Sequence, residues 1–121
     1  MKTTLVMGAS NKPGRYATLA INNLLQYGHT VYGLAQRPVD IAGVTVYTQT
    51  DEVNIPDLDT VTLYLSPQNQ REYYDWLIKL APKRVIFNPG TENPDLQALL
   101  TRHGIDSVEA CTLVLLSIGL Y

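Results

Sequence analysis

Apolar positions come in short runs, divided by glycine, proline and polar clusters. Leu5-Val6-Met7 is an unbroken apolar run that stops at Gly8, the pattern of a buried strand. Ala17, Ala20, Ile21, Leu24 and Leu25 then recur at helical spacing until Gly28, which predicts a helix. Thr30 to Leu34 reads as a second strand, Val44 to Val46 as a short third and Thr60 to Leu65 as a fourth. Asp51 to Asp57 reads as loop, with Pro56 as a breaker.

In the second half, Ser66-Pro67 has the form of a helix cap followed by proline at the first helical position. Tyr73, Trp76, Leu77 and Leu80 supply the buried stripe of that helix, and Pro82 ends it. Arg84 to Phe87 is the next strand. Asn93-Pro94-Asp95 repeats the cap signal, with Leu96, Leu99 and Leu100 facing inward and His103-Gly104 closing the helix. Ile105 to Val108 is a last strand before an apolar tail. Strands alternating with helices predict a three-layer α/β domain: a doubly wound, Rossmann-like, mostly parallel sheet of five or six strands. Ligands of such sheets lie at the carboxyl ends of the strands, near the switch in strand order. Those ends are the loops Gly8–Arg15, Ala35–Pro38, Leu65–Pro67 and Asn88–Asn93.

Composition narrows the function classes. A chain of 121 residues predicts a single domain over 1–121, with no room for a cofactor domain plus a substrate domain. A net charge of −2 gives no footprint for nucleic acid. No apolar stretch has the length of a signal peptide or a membrane span, which predicts no membrane partner. Cys111 is the single cysteine, which suits a reducing cytoplasm.

The first loop carries the most chemistry. A helix starting near Arg15 turns unpaired N–H groups and the positive end of its dipole toward Gly8–Arg15, an arrangement that binds phosphate. Gly8 allows a tight turn, Ser10 can donate a hydrogen bond, and Lys12 and Arg15 add charge. The loop is neither G-x-G-x-x-G, since Ser10 takes the second glycine place, nor a P-loop. After the second strand, NAD-binding domains place an acid on the ribose. Here Gln36 and Arg37 stand there, which favours a ribose bearing its own phosphate: NADP or coenzyme A.

The blocks "GASNKPGRY", "LLQYGHTV", "NPGTEN" and "EAC" together resemble the small stand-alone CoA-binding proteins, relatives of the nucleotide-binding domain of the succinyl-CoA synthetase α subunit. The resemblance covers nearly the whole chain. It implies that Gly8, Ser10, Pro13 and Arg15 line the diphosphate and that Gln36 and Arg37 face the adenosine end. It also implies that Leu65, Ser66, Gly90 and Asn93 complete the far side of the cleft, with Asn88 in the place of the family's usual glutamine. Pro94 replaces a usual glutamate, and Ala110 a usual arginine.

No residue pattern nominates a catalyst or a metal site. His29 and His103 lie at helix ends, where a cation is favourable. Cys111 reads as a small buried hydrophobe beside an apolar tail; as a thiol near a pantetheine arm it could form a mixed disulfide. Tyr74 falls off the buried stripe and is expected either exposed at the surface or against a partner chain. The tail "CTLVLLSIGLY" is apolar on both sides and predicts a cover, with a two-fold homodimer as one candidate. The leading expectation is a non-catalytic module for coenzyme A or an acyl-CoA, a sensor or carrier. The alternatives are an NADP-binding subunit of an oxidoreductase and an interaction protein with an empty cleft.

Overall fold

The computed structural model describes Met1–Tyr121. Six strands form one sheet: β1 (Thr3–Met7), β2 (Thr30–Leu34), β3 (Thr45–Tyr47), β4 (Thr60–Leu63), β5 (Arg84–Phe87) and β6 (Asp106–Glu109). Their order is β3-β2-β1-β4-β5-β6, and every pairing of neighbours is parallel. This is the doubly wound order, with its switch point between β1 and β4.

The two-residue period of each strand sorts the core into two layers. Val6, Val31 and Ile86 face α1 (Tyr16–Gln26) and α5 (Thr112–Ser117), whose Ile21, Leu24 and Leu116 pack onto them. Leu5, Met7, Leu63, Val85 and Phe87 face the opposite way, toward Leu77 of α3 (Tyr74–Leu80) and toward Leu96 and Leu100 of α4 (Pro94–Arg102). Gly33 is required where β2 passes the turn after β1: a Cβ there would lie 2.8 Å from the Cβ of Ala9. No helix is long and apolar enough to cross a membrane.

Several expectations change. The helix expected from Ser66 to Pro82 is broken into α2 (Pro67–Gln70), a 3-10 turn at Arg71–Tyr73, and α3. Residues 67–70 are all polar or proline, so hydrogen bonds of the buried Gln70, not an apolar stripe, fix that first turn. Ser66 stands at the cap position, but its hydroxyl makes no cap bond. Of the stripe, only Leu77 is fully buried; Tyr73, Trp76 and Leu80 pack against the core edge. Tyr74 is half-buried rather than exposed, because its hydroxyl accepts a hydrogen bond from Asn93 Nδ2 at 2.8 Å. A short 3-10 turn at Thr50–Glu52 lies at the edge of the stretch expected as loop. The tail forms α5 against α1: Leu116 and Tyr121 are buried, while Val114, Ile118 and Leu120 stay exposed.

At the amino edge of the sheet, Tyr121 is held by residues of several strand starts. Its hydroxyl pairs with Thr4 Oγ1 at 2.6 Å, and its ring meets His29 edge-on at 4.9 Å. The Arg84 guanidinium lies 4.6 Å from the ring centroid, and Lys2 Nζ donates to the Tyr121 carbonyl. His29 is not the helix-end cation expected from its position. Its Nδ1 accepts the Lys2 N–H at 2.9 Å, which requires a neutral ring. Burial first, then the positive charges of the amino group, Lys2 and Arg84, push its pKa below the ordinary 6.5. The folded state therefore resists a proton that the unfolded chain accepts. Stability is complete above pH 6.5 and declines as pH falls from there through the folded value. Thermal melting from pH 7.5 to 5.5 is expected to show this decline, and His29→Gln to flatten it; equal slopes for the two proteins would exclude His29 as its source.

Candidate functional site

The groove follows from the topology. Every strand of a parallel sheet ends at the same edge, so the loops after β2, β1, β4 and β5 and the start of α5 line up in strand order. Three adjoining cavities run along this edge. The first, about 460 Å³, lies between the loop after β1 and the Ala35–Val39 segment; Gly8, Ser10, Lys12, Arg15, Gln36 and Arg37 line it. The second, about 290 Å³, shares Gly8, Ser10, Arg15, Tyr64 and Leu65 with the first and adds Ser66, Gly90 and Thr91. The third, about 210 Å³, shares Tyr16, Tyr64 and Pro89 with the second and ends at Cys111 and Leu113.

The loop after β1 uses much of its backbone to fix the turn and leaves the Ser10 hydroxyl and the first N–H groups of α1 turned toward the groove. Gly8 has φ +90°, and a Cβ there would lie 3.0 Å from the Tyr64 carbonyl oxygen; both facts demand glycine. The N–H groups of Gly8 and Ala9 both reach the Leu34 carbonyl, tying the turn to β2. Ser10 Oγ accepts the Lys12 N–H at 3.0 Å, so its own hydrogen remains available to a ligand. Thr18 Oγ1 donates to the Ser10 carbonyl, and Asn11 Nδ2 to the Asp40 carbonyl. Arg15 occupies the N-cap of α1 and makes no side-chain bond to the first turn. The N-terminal N–H groups of α1 thus meet the groove uncapped, beside the exposed cations Lys12 and Arg15.

The far loop offers a different kind of group. Asn88 is buried, and both its amide hydrogens and one Oδ1 lone pair are engaged: Nδ2 donates to Thr62 Oγ1 at 2.7 Å and to the Leu63 carbonyl at 2.9 Å, while Oδ1 accepts the Thr112 N–H at 2.9 Å. Asn93 is buried too. Its Nδ2 donates to Gln70 Oε1 and Tyr74 Oη, and its Oδ1 caps α4 at the Leu96 N–H. Both asparagines therefore shape the loop and hold its neighbours, with no amide N–H left to donate to a ligand. Asn93 lines a separate shallow cavity beside Pro67 and Arg71, outside the groove. Pro13 is exposed on the rim and lines none of the three cavities. Gly90 lines the second cavity, where its N–H is taken by Glu92 Oε1 at 2.8 Å.

Tyr64 lines all three cavities, and the sequence reading passed over it. It is the residue after β4, so the carboxyl-end rule alone could have found it. Burial, with a smaller contribution from Cys111, pushes its phenol up to about 12, so it faces the groove neutral. Cys111 is half-buried at the start of α5 and lines the third cavity rather than sitting sealed in the core. No three His, Cys, Asp or Glu side chains are grouped to hold a metal ion.

The family described as the CoA binding domain matches residues 2–117. The chain belongs to that family. Among solved structures, one whose protein is described only as uncharacterized matches this CoA-binding domain with a TM-score of 0.94 and 44% identity, over 100% of this chain and 98% of that one. A hypothetical protein from Pyrococcus horikoshii OT3 matches with a TM-score of 0.83 and 29% identity, over 93% of this chain and 80% of that one. The dinucleotide forming acetyl-coenzyme A synthetase 1 of Ca. Korarchaeum cryptofilum, solved with phosphate and ADP, shares the fold. Its TM-score is 0.68 at 19% identity, over 89% of this CoA-binding domain and 25% of the synthetase chain. No curated protein matches the chain.

Proposed function

We propose that this domain binds coenzyme A or an acyl-CoA and does no covalent chemistry on it, acting as a sensor or carrier in a reducing, cytoplasmic setting. One observation carries the reading. The groove crosses the sheet edge from a cationic end at Arg37, past Arg15 and the uncapped N–H groups of the first turn of α1, to a mostly apolar end at Leu113. From β2 to β6 is four strand spacings, about 19 Å. A 3′-phosphorylated nucleoside diphosphate carrying a long uncharged arm has that sequence of charges along its length.

The same groove supports the absence of catalysis. Its cations, amides and hydroxyls, among them Ser10, Asn11, Lys12, Arg15, Gln36, Arg37, Ser66 and Asn69, are groups that hold a phosphate without reacting with it, and no histidine and no carboxylate line it. Cys111 has no histidine, carboxylate or lysine among the residues that share its cavity to serve it as a base. Incubation with acetyl-CoA should leave the thioester intact and the mass of the chain unchanged; acetyl transfer lost in Cys111→Ser would refute the non-catalytic part.

A thermal-shift screen with CoA, NAD, NADP and ATP tests the ligand, since a ligand at a hundredfold excess over its dissociation constant stabilises by about 2.7 kcal/mol. A shift with NADP and none with CoA would move the reading to a reductase subunit. Arg37 gives a sharper test. CoA should bind about tenfold tighter than dephospho-CoA, the scale of one charge-assisted contact to phosphate. Arg37→Ala should erase that ratio. Equal affinities of the parent protein for both ligands would mean that Arg37 reads no phosphate.

A further inference from the structure

We infer that the third cavity is an acyl site: it receives a short, uncharged acyl group, of up to about six carbons, carried on the ligand's sulfur. The inference rests on the coenzyme A reading of the groove and adds to it which thioesters the domain selects.

Position comes first. The diphosphate-type loop lies in the middle of the groove and Arg37 at one end, so the third cavity is where the other end of a long ligand arrives. It shares Tyr16, Tyr64 and Pro89 with the second cavity, so a chain can pass between them along the Tyr16 and Tyr64 rings.

The lining sets the chemistry. Its residues are Tyr16, Tyr64, Asn88, Pro89, Cys111 and Leu113, with no cation and no carboxylate. Asn88 is the one amide, and all its hydrogen-bonding groups except one Oδ1 lone pair are bound inside the protein. Tyr64 stays neutral. A carboxylate brought here would lose its water and find no counter-charge, which is costly. Dicarboxylic acyl groups are therefore disfavoured and plain aliphatic ones favoured. Size sets the limit. A dry cavity of about 150 Å³ accepts benzene. One of about 210 Å³ holds a six-carbon group and little more.

Isothermal titration of the intact protein with CoA and with its acetyl, butyryl, octanoyl, palmitoyl and succinyl thioesters tests this. Each methylene buried tightens binding about fourfold. Butyryl-CoA should thus bind about fifteenfold tighter than acetyl-CoA. Octanoyl-CoA should gain at most the two further methylenes that fit, about fifteenfold over butyryl-CoA and not the full four, palmitoyl-CoA should lose, and succinyl-CoA should fall at least tenfold below butyryl-CoA. In Leu113→Trp the indole fills the cavity, and butyryl- and acetyl-CoA should bind alike; Leu113→Phe should give a smaller reduction of the same ratio. The parent series stands without either variant. CoA binding with a flat response to acyl length, or succinyl-CoA tighter than butyryl-CoA, would overturn the acyl site and leave the coenzyme A reading standing. Binding of neither CoA nor any thioester would overturn both.

Discussion

Replacing Arg15 by alanine is expected to weaken coenzyme A binding by about 1.5–3 kcal/mol, ten- to a hundredfold. Arg15 lines both the first and second cavities, the junction where a diphosphate would sit. It stands at the N-cap of α1 with no bond of its own to the first turn, so its guanidinium is not held elsewhere on that helix. A planar fork can grip phosphate with two parallel bonds. Lys12 lines only the first cavity and is a hydrated point charge, so Lys12→Ala should cost less. Titration calorimetry at two salt concentrations measures both: the Arg15→Ala loss should shrink as salt rises, because the interaction is largely Coulombic. Unchanged affinity would remove Arg15 from the site.

The largest effect on stability is expected at Asn88. Truncation to alanine orphans the Thr112 N–H and the Leu63 carbonyl and frees Thr62 Oγ1 to keep only Thr112 Oγ1. Each buried group left unpaired costs about 1–3 kcal/mol, so a total near 3 kcal/mol is expected from urea unfolding. Asn88→Asp separates the two halves of the amide. It keeps the acceptor for Thr112 and loses the donors to β4, while adding a charge away from water, so it should be no milder than alanine. A loss under 1 kcal/mol for Asn88→Ala would show that the loop closes around the gap or that water replaces the amide.

Asn88 also marks where reading from sequence stops. The strands and α1 were legible because their burial is periodic. Leu5 and Met7 face one layer and Val6 the other, and Ala17, Ala20, Ile21 and Leu24 are the buried stripe of α1. The carboxyl-edge rule brought Gly8, Ser10, Lys12, Arg15, Gln36 and Arg37 to one cavity. Periodicity is blind to buried polar networks, whose partners are distant in the chain. Gln70 bridging the Leu65 and Thr91 carbonyls, and Asn93 reaching Tyr74, left no local signal, and the break after Pro67–Gln70 follows from them. His29 failed for a related reason. Its place at a helix end suggested a cation, but the neighbours that decide its charge are Lys2, Arg84 and Tyr121, which no spacing rule connects.

The clasp around Tyr121 has a mechanical consequence. It gathers Lys2, Thr4, His29 and Arg84, residues at or next to the starts of β1, β2 and β5, onto one ring. The sheet is thus riveted at one end like the sticks of a fan. At the other end its strands run out into loops, and the groove lies across their tips. A ligand lying there is a second rivet, set by an outside molecule. Without it, the tips can splay while the riveted end keeps its register; with it, the fan is pinned at both ends. Hydrogen exchange in the Gly8–Arg15 and Asn88–Asn93 loops should therefore slow on ligand binding far more than at the strand starts.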